Sequence, residues 1–231
     1  MADKFVDAQH NSGQDSLDQS SYWNGYYRSG GVPELPSQFA LFVAGELASG
    51  AVEPVAAILD IGCGNGRDSV FFAQLGHAIG GLDRSEQAIA ACTARLDAMP
   101  RSALAKALFQ SGCAESGAIE ALADAFEGPL LVYSRFFFHA VDQAAEAEIL
   151  GRVGRLLTQR GGALAAEFRT IHDSDGTRET GAHYRRYVDP AAYGARLADS
   201  GLQVTWQAQG RGMAKFRSDD AHVARIVARP W

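Results

Sequence analysis

The sequence lacks most of what would tie a chain to a membrane, a secretory route or a metal. Nowhere in its 231 residues does an apolar run approach the ~18 positions of a membrane span, so no transmembrane helix is expected. The opening stretch "MADKFVDAQHNSGQDS" is polar and has no apolar middle of the signal-peptide kind. Cysteine is scarce: Cys63, Cys92 and Cys113 form neither a CxxC pair nor a zinc spacing. So sparse and odd a set fits a reducing cytosol, with thiols packed as small core residues, and points to no metal and a cytoplasmic location. Basic residues are the minority, 21 Lys and Arg against 27 Asp and Glu, for a net charge of -6. That balance argues against non-specific nucleic-acid binding, though not against a local basic site. Internal repeats and low-complexity segments are also missing.

What the chain does have is apolar material in an ordered alternation. Hydrophobic residues make up 47% and charged residues 21%, enough for a soluble protein with a sizeable core. Residues 1–20 read as a polar, flexible N-terminus. Residues 21–50 combine an aromatic, Gly- and Pro-rich segment with a first helix. Ser37 caps that helix, which runs to about Ala48 with Phe39, Leu41, Phe42 and Leu47 expected inside. From residue 51 to 231 the pattern is that of a single domain. "AAILDIG", "HAIGGLD", "AKALFQSG", "PLLVYSRFFF" and "GGALAAEFRT" read as five strands. Helices separate them: Arg67 to Leu75, a Ser85-capped helix to about Met99, "IEALADAF", and "DQAAEAEILGRVGRLL" in spite of its two glycines. After a polar stretch from His172 to Tyr187, Asp189 and Pro190 start a helix that Gly201 ends. "LQVTWQA" and "HVARIVA" close the chain, joined by "QGRGMAKFRSDDA", which is too short for a helical crossover; this last pair should be antiparallel. The fold class is therefore α/β: a Rossmann-like, doubly wound sheet, mostly parallel, with an antiparallel C-terminal strand pair. Such a sheet binds its ligand beyond the carboxyl ends of its strands.

The chemistry begins in "ILDIGCGNGRDSVFFA". Gly62, Gly64 and Gly66 allow a sharp turn and close approach of a ligand, and the helix starting near Arg67 points free N–H groups at it. This much is common to nucleotide-binding folds. Two acids narrow it. Asp83 ends the second strand, where a carboxylate can accept both hydroxyls of a ribose. Asp60 sits just before the loop, where its charge would oppose a pyrophosphate but suit an ammonium. S-adenosylmethionine (SAM) has the ammonium and the ribose and no phosphate.

"LDIGCGNGRDSVFFAQLGHAIGGLDRS" resembles the first motif and following acidic position of class I SAM-dependent methyltransferases. The "GNGRDS" continuation is similar to the small-molecule branch that includes thiopurine and tellurite-resistance methyltransferases. The resemblance implies that Asp60, Gly62, Cys63, Gly64, Asn65 and Gly66 cradle the methionine part of SAM and that Asp83 holds its ribose. Arg84 and Ser85 would lie beside the adenosine. At "QSGCAES" the sequence departs from the family, with Cys113 where an Asp is common, so that the backbone of Cys113 and Ala114 would face the adenine. "YWNGYYRSG" would fold over the cofactor as a lid, with Tyr22 and Tyr26 giving cover and Arg28 reaching the SAM carboxylate.

On the acceptor side, His139 in "YSRFFFHAVD" is the leading candidate for a general base, with Ser134 and Arg135 in the same pocket. Arg135 needs a partner in so apolar a run. "EFRTIHDSD" and "HYRRYVDP" add Arg169, Asp173, His183, Arg185 and Arg186, a set suited to an anionic or polar acceptor. The leading function is methylation of a small polar or anionic acceptor, at oxygen: a sugar, a glycan end or an acidic metabolite. Methylation of sulfur, selenium or tellurium is the alternative within the class, and a non-catalytic SAM-binding regulatory or partner protein is the alternative outside it. No (D/N)PPY-like sequence marks an amide or base nitrogen as acceptor.

Overall fold

The computed structural model describes residues 24–25, 34–100, 105–174 and 186–231. In chain order the elements are α1 (Gln38–Ser49), β1 (Ala57–Ile61), α2 (Arg67–Gln74), β2 (Ala78–Asp83), α3 (Glu86–Asp97), β3 (Ala107–Ser111) and α4 (Ala118–Ala123). They continue with β4 (Leu130–Arg135), α5 (Gln143–Arg160), β5 (Gly162–Arg169), α6 (Pro190–Asp199), β6 (Leu202–Gly210), β7 (Lys215–Phe216), β8 (Asp219–Asp220) and β9 (Val223–Pro230). Seven strands form one sheet in the order β3-β2-β1-β4-β5-β9-β6. β1 to β5 are parallel, and β9 runs antiparallel between β5 and β6. This is the expected doubly wound sheet with its antiparallel closing pair.

Alternation along each strand divides the core between the two faces. Ala57, Leu59 and Ile61 of β1, with Leu130 and Val132 of β4 and Leu164, Ala166 and Phe168 of β5, pack under α4, α5 and α6. Their neighbours Ile58, Leu131, Tyr133, Ala163 and Ala165 pack under α1 and α2. Both faces are covered, so these strands read as continuous apolar runs. Ser37 and Ser85 cap α1 and α3 as the sequence implies, and Asp189 with Pro190 opens α6.

One helical glycine has a packing cause. A Cβ on Gly154 of α5 would lie 1.9 Å from the carbonyl oxygen of Ser200, where α6 ends. Gly154→Ala is expected to force those helices apart at a cost of about 1–3 kcal/mol, read as a lower urea midpoint. An unchanged midpoint would mean that the two helices do not meet there.

Two expectations need correction. Leu41 is 53% exposed, because the buried side of α1 is set by Phe39, Ala40 and Val43. The link between β6 and β9 holds a short hairpin, β7 paired antiparallel with β8, where only a connection was expected. Among the described residues no helix is long and apolar enough to cross a membrane.

Candidate active site

The parallel strands end around a cavity of about 650 Å³, within the ~300–1,000 Å³ range usual for small-molecule sites. Its described wall runs from Asp83, Arg84 and Glu115, past the glycine loop, to Arg135, Phe136 and His139, and then to Lys215, Phe216 and Asp219.

The glycine loop follows β1 directly. Gly62, Gly64 and Gly66 all have left-handed φ, 76°, 56° and 72°. At Gly62 a Cβ would also meet the Phe137 ring at 2.7 Å, so that position excludes other residues twice over. Asp83 shapes the loop from β2: one carboxylate oxygen accepts from the Gly64 N–H and the other from the Ser85 N–H, each at 2.9 Å. From α3, the Cys92 thiol donates to the Gly64 carbonyl and the Arg95 guanidinium to the Asn65 carbonyl. The neighbouring Cys92 thiol, together with burial, pushes the Cys63 thiol well above its ordinary value, so Cys63 is a packed thiol.

Asp60 is 3% exposed, and Ser69 Oγ donates to it at 2.5 Å. Burial raises its carboxyl from 3.8 to about 8, with Asp68 and Asp83 adding repulsion and Ser69 and Arg67 opposing. A buried acid held neutral beside an open cavity is a site that a cation would suit.

Arg84 donates to Glu115 at 2.5 Å and to the Cys113 sulfur at 3.0 Å. The acid that the family pattern lacks at position 113 is therefore present two residues later, in the cavity wall. Ser85 Oγ donates to Asn24 Oδ1 at 2.5 Å, which brings a residue of "YWNGYYRSG" to the start of α3. Tyr22, Tyr26, Arg28, His183 and Arg185 lie outside the described residues.

At the other end, Arg135 finds its partner within the protein. It donates to Glu167 at 2.9 Å, and Arg225 donates to the second oxygen of Glu167 at 2.7 Å. Phe136, the next residue, has φ 57°, strained for a bulky side chain. The Arg135 and Arg169 guanidinium groups lie 4.2 and 5.5 Å from its ring centre. Arg169 is itself paired with Asp173, at 2.5 Å, and with Asp219. His139 is 4% exposed, and its Nδ1 accepts from the Arg169 N–H at 3.3 Å. That bond puts the proton of the neutral ring on Nε2, which is then a donor and has no lone pair to receive a proton.

Asp60, Gly62, Cys63, Gly64, Asn65, Asp83, Arg84, Ala114, Arg135, Arg169 and His139 thus meet around one cavity. Five other candidates do not line its described wall. Gly66 turns the chain into α2, and the Cys113 sulfur accepts from Arg84. Ser134 is fully buried, its hydroxyl donating to the Ile61 carbonyl. Asp173 is held by Arg169 and the His222 N–H. Arg186 joins Arg196 on the buried Glu146 of α5. Ser134, Asp173 and Arg186 each make an internal polar bond, as a buried polar group must be satisfied within the fold.

Sequence reasoning missed Asp68 and Tyr133. Asp68 accepts from the Ser37 N–H and hydroxyl, both at 2.7 Å, and from the Tyr133 hydroxyl at 2.8 Å. Ser37, Asp68 and Tyr133 come from the N-cap of α1, from α2 and from β4, and no sequence spacing relates them.

Residues 58–161 match the family model described as "Methyltransferase domain". None of the curated proteins matches the sequence. Solved structures do. A SAM-dependent methyltransferase from Methanosarcina mazei superposes with a TM-score of 0.62 at 19% identity, over 82% of this chain and 96% of that one. Magnesium protoporphyrin IX methyltransferase from Synechocystis, with bound SAH, gives 0.59 at 15% identity, over 98% and 91%. The CcbJ methyltransferase from Streptomyces caelestis gives 0.62 at 17% identity, over 87% and 91%. These comparisons do not support the narrower likeness to thiopurine and tellurite-resistance enzymes. Residues 58–161 therefore resemble a methyltransferase domain, and the chain has the fold of these SAM-dependent methyltransferases.

Proposed function

We propose that the protein is a SAM-dependent methyltransferase that methylates a small polar or anionic acceptor at oxygen. The observation that carries this reading is the single cavity joining the Asp83–glycine loop wall to the Arg135–His139 wall. When bound, SAM supplies an electrophilic methyl carbon attached to a good leaving group.

The residues fit that group. Gly62, Gly64 and Asn65 line the cavity where its methionine part would lie, and Asp60 would face its ammonium. Asp83 has carboxylate lone pairs beyond the two used by Gly64 and Ser85, and these suit the ribose hydroxyls. Glu115 and Arg84 bound the adenine end. The remaining wall has to hold the acceptor oxygen in line and keep water out. An acceptor that ionises by itself needs no base. For a neutral hydroxyl, His139 can take the proton only by giving up the bond from the Arg169 N–H.

Asp60 gives this reading a pH signature. Below about 8 its carboxyl is protonated in the ligand-free protein. An ammonium beside it favours the carboxylate, so binding releases a proton. SAM affinity should therefore rise with pH, by up to about tenfold per unit, and level off above 8. Asp60→Asn should bind weakly and without that slope; the same slope in the variant would remove Asp60 from the ammonium. For folding, the raised carboxyl's contribution is complete below 3.8 and is lost as pH rises through about 8.

The function itself is tested by incubating the protein with labelled SAM and a metabolite extract and reading methylated products by mass spectrometry. A labelled O-methyl product supports the reading. Label on sulfur or nitrogen moves the acceptor atom, and no label under conditions of SAM saturation favours a non-catalytic binding protein.

A further inference from the structure

The β7–β8 hairpin fills the link between β6 and β9 and has no part in the main sheet. β9 begins at Val223, paired with Arg169 at the end of β5 and with Gly210 at the end of β6. The hairpin therefore stands beyond the carboxyl end of β5, next to Arg135 and Phe136. It is firmly held. The Lys215 N–H donates to Gln38 at the start of α1 at 2.9 Å. Arg225 donates to the Met213 carbonyl at 2.5 Å, the Gly212 N–H to Asp220 at 2.6 Å, and Arg169 pairs with Asp219. Phe136 packs against Ala214, Ala221 and Val223 at its base. Side chains on so fixed a platform can discriminate between ligands.

Charge decides which of them would. The described cavity wall carries five Lys or Arg residues: Arg67, Arg84, Arg135, Arg169 and Lys215. Arg67 has Asp68, Arg84 has Glu115, Arg135 has Glu167, and Arg169 has Asp173 and Asp219. Lys215 alone has no carboxylate within ion-pair distance among the described residues, and its side chain is exposed. Beside it the wall is aromatic, with Phe136, Phe137 and Phe216. An anion entering this end would meet one uncommitted cation, and flat apolar rings would cover the rest of the ligand.

We propose that the hairpin is the acceptor-recognition element and that it selects a flat, apolar-bodied carboxylic acid, with the carboxylate on Lys215 and the body against the three phenylalanines. The inference rests on the methyltransferase reading for its purpose, and its test can fail separately.

The probes are 4-hydroxybenzoate and its uncharged analogue 4-hydroxybenzamide, each titrated by calorimetry into the ligand-free and the SAM-treated protein. Wild type should prefer the acid to the amide by at least about tenfold, the scale of one charge-assisted hydrogen bond. Lys215→Gln should abolish the preference, and Lys215→Arg should keep most of it. SAM affinity, measured on the same samples, should stay within about twofold in both variants. The inference is overturned if the acid does not bind, if acid and amide bind alike, if the preference survives in Lys215→Gln, or if that variant loses SAM binding in parallel. Should wild type bind no SAM, the methyltransferase reading falls, and the acid–amide comparison on the ligand-free protein still decides the role of Lys215.

Discussion

Glu167→Ala is expected to cost about 3–5 kcal/mol of folding stability, the largest loss expected from the polar residues behind the Arg135–His139 wall. Glu167 is completely buried, with one oxygen on Arg135 and the other on Arg225. Both arginines are largely buried, their side chains 16% and 9% exposed. Burial works to lower the pKa of Arg135, but Glu167 and Asp68 outweigh it and hold the guanidinium above its ordinary value. Removing the carboxylate leaves two cations facing each other with no anion between them. Arg225 also donates to Met213 and lies over Phe39 and Phe42, so the damage should spread to the hairpin and to α1. Glu167→Gln keeps the shape and one acceptor oxygen and should lose less. Urea unfolding of the two variants checks this, and a loss below about 1 kcal/mol in Glu167→Ala would show that water reaches the pair.

Asp83→Ala should lower SAM affinity by on the order of 1–3 kcal/mol, about 5- to 150-fold. Two effects act together. The Gly64 and Ser85 N–H groups lose their acceptor, which frees the loop that forms the cradle. The carboxylate proposed to hold the ribose is also removed. Asp83→Asn retains an acceptor oxygen and should fall between the two. Calorimetric titration of SAM separates these outcomes. Equal affinity in wild type and Asp83→Ala would remove Asp83 from the cofactor site.

The frame of the fold was open to reading because its signals are local. Apolar runs such as "AAILDIG", caps at Ser37, Ser85 and Asp189, and glycines with left-handed φ each depend on a few adjacent residues. The glycine-loop wall of the cavity was legible for the same reason, since Asp60 lies in β1 and the three glycines follow it directly. The Arg135–His139 wall was not. Its ion pairs join residues far apart, Glu167 with Arg225 and Arg169 with Asp219, and no spacing announces them. An arginine-rich sequence therefore looked like an anion site, while the structure commits Arg135, Arg169 and Arg186 to internal carboxylates. The β7–β8 hairpin escaped notice because strands of two residues carry no periodicity. Phe136 escaped because backbone strain leaves no mark in composition.

The central claim, that the cavity is a SAM site, is tested most directly by titrating SAM into the ligand-free protein at pH 8 in a calorimeter. One molecule should bind per chain, with affinity that falls as the pH is lowered toward 6. Absence of binding at pH 8, or binding that survives unchanged in both Asp60→Asn and Asp83→Ala, would contradict it.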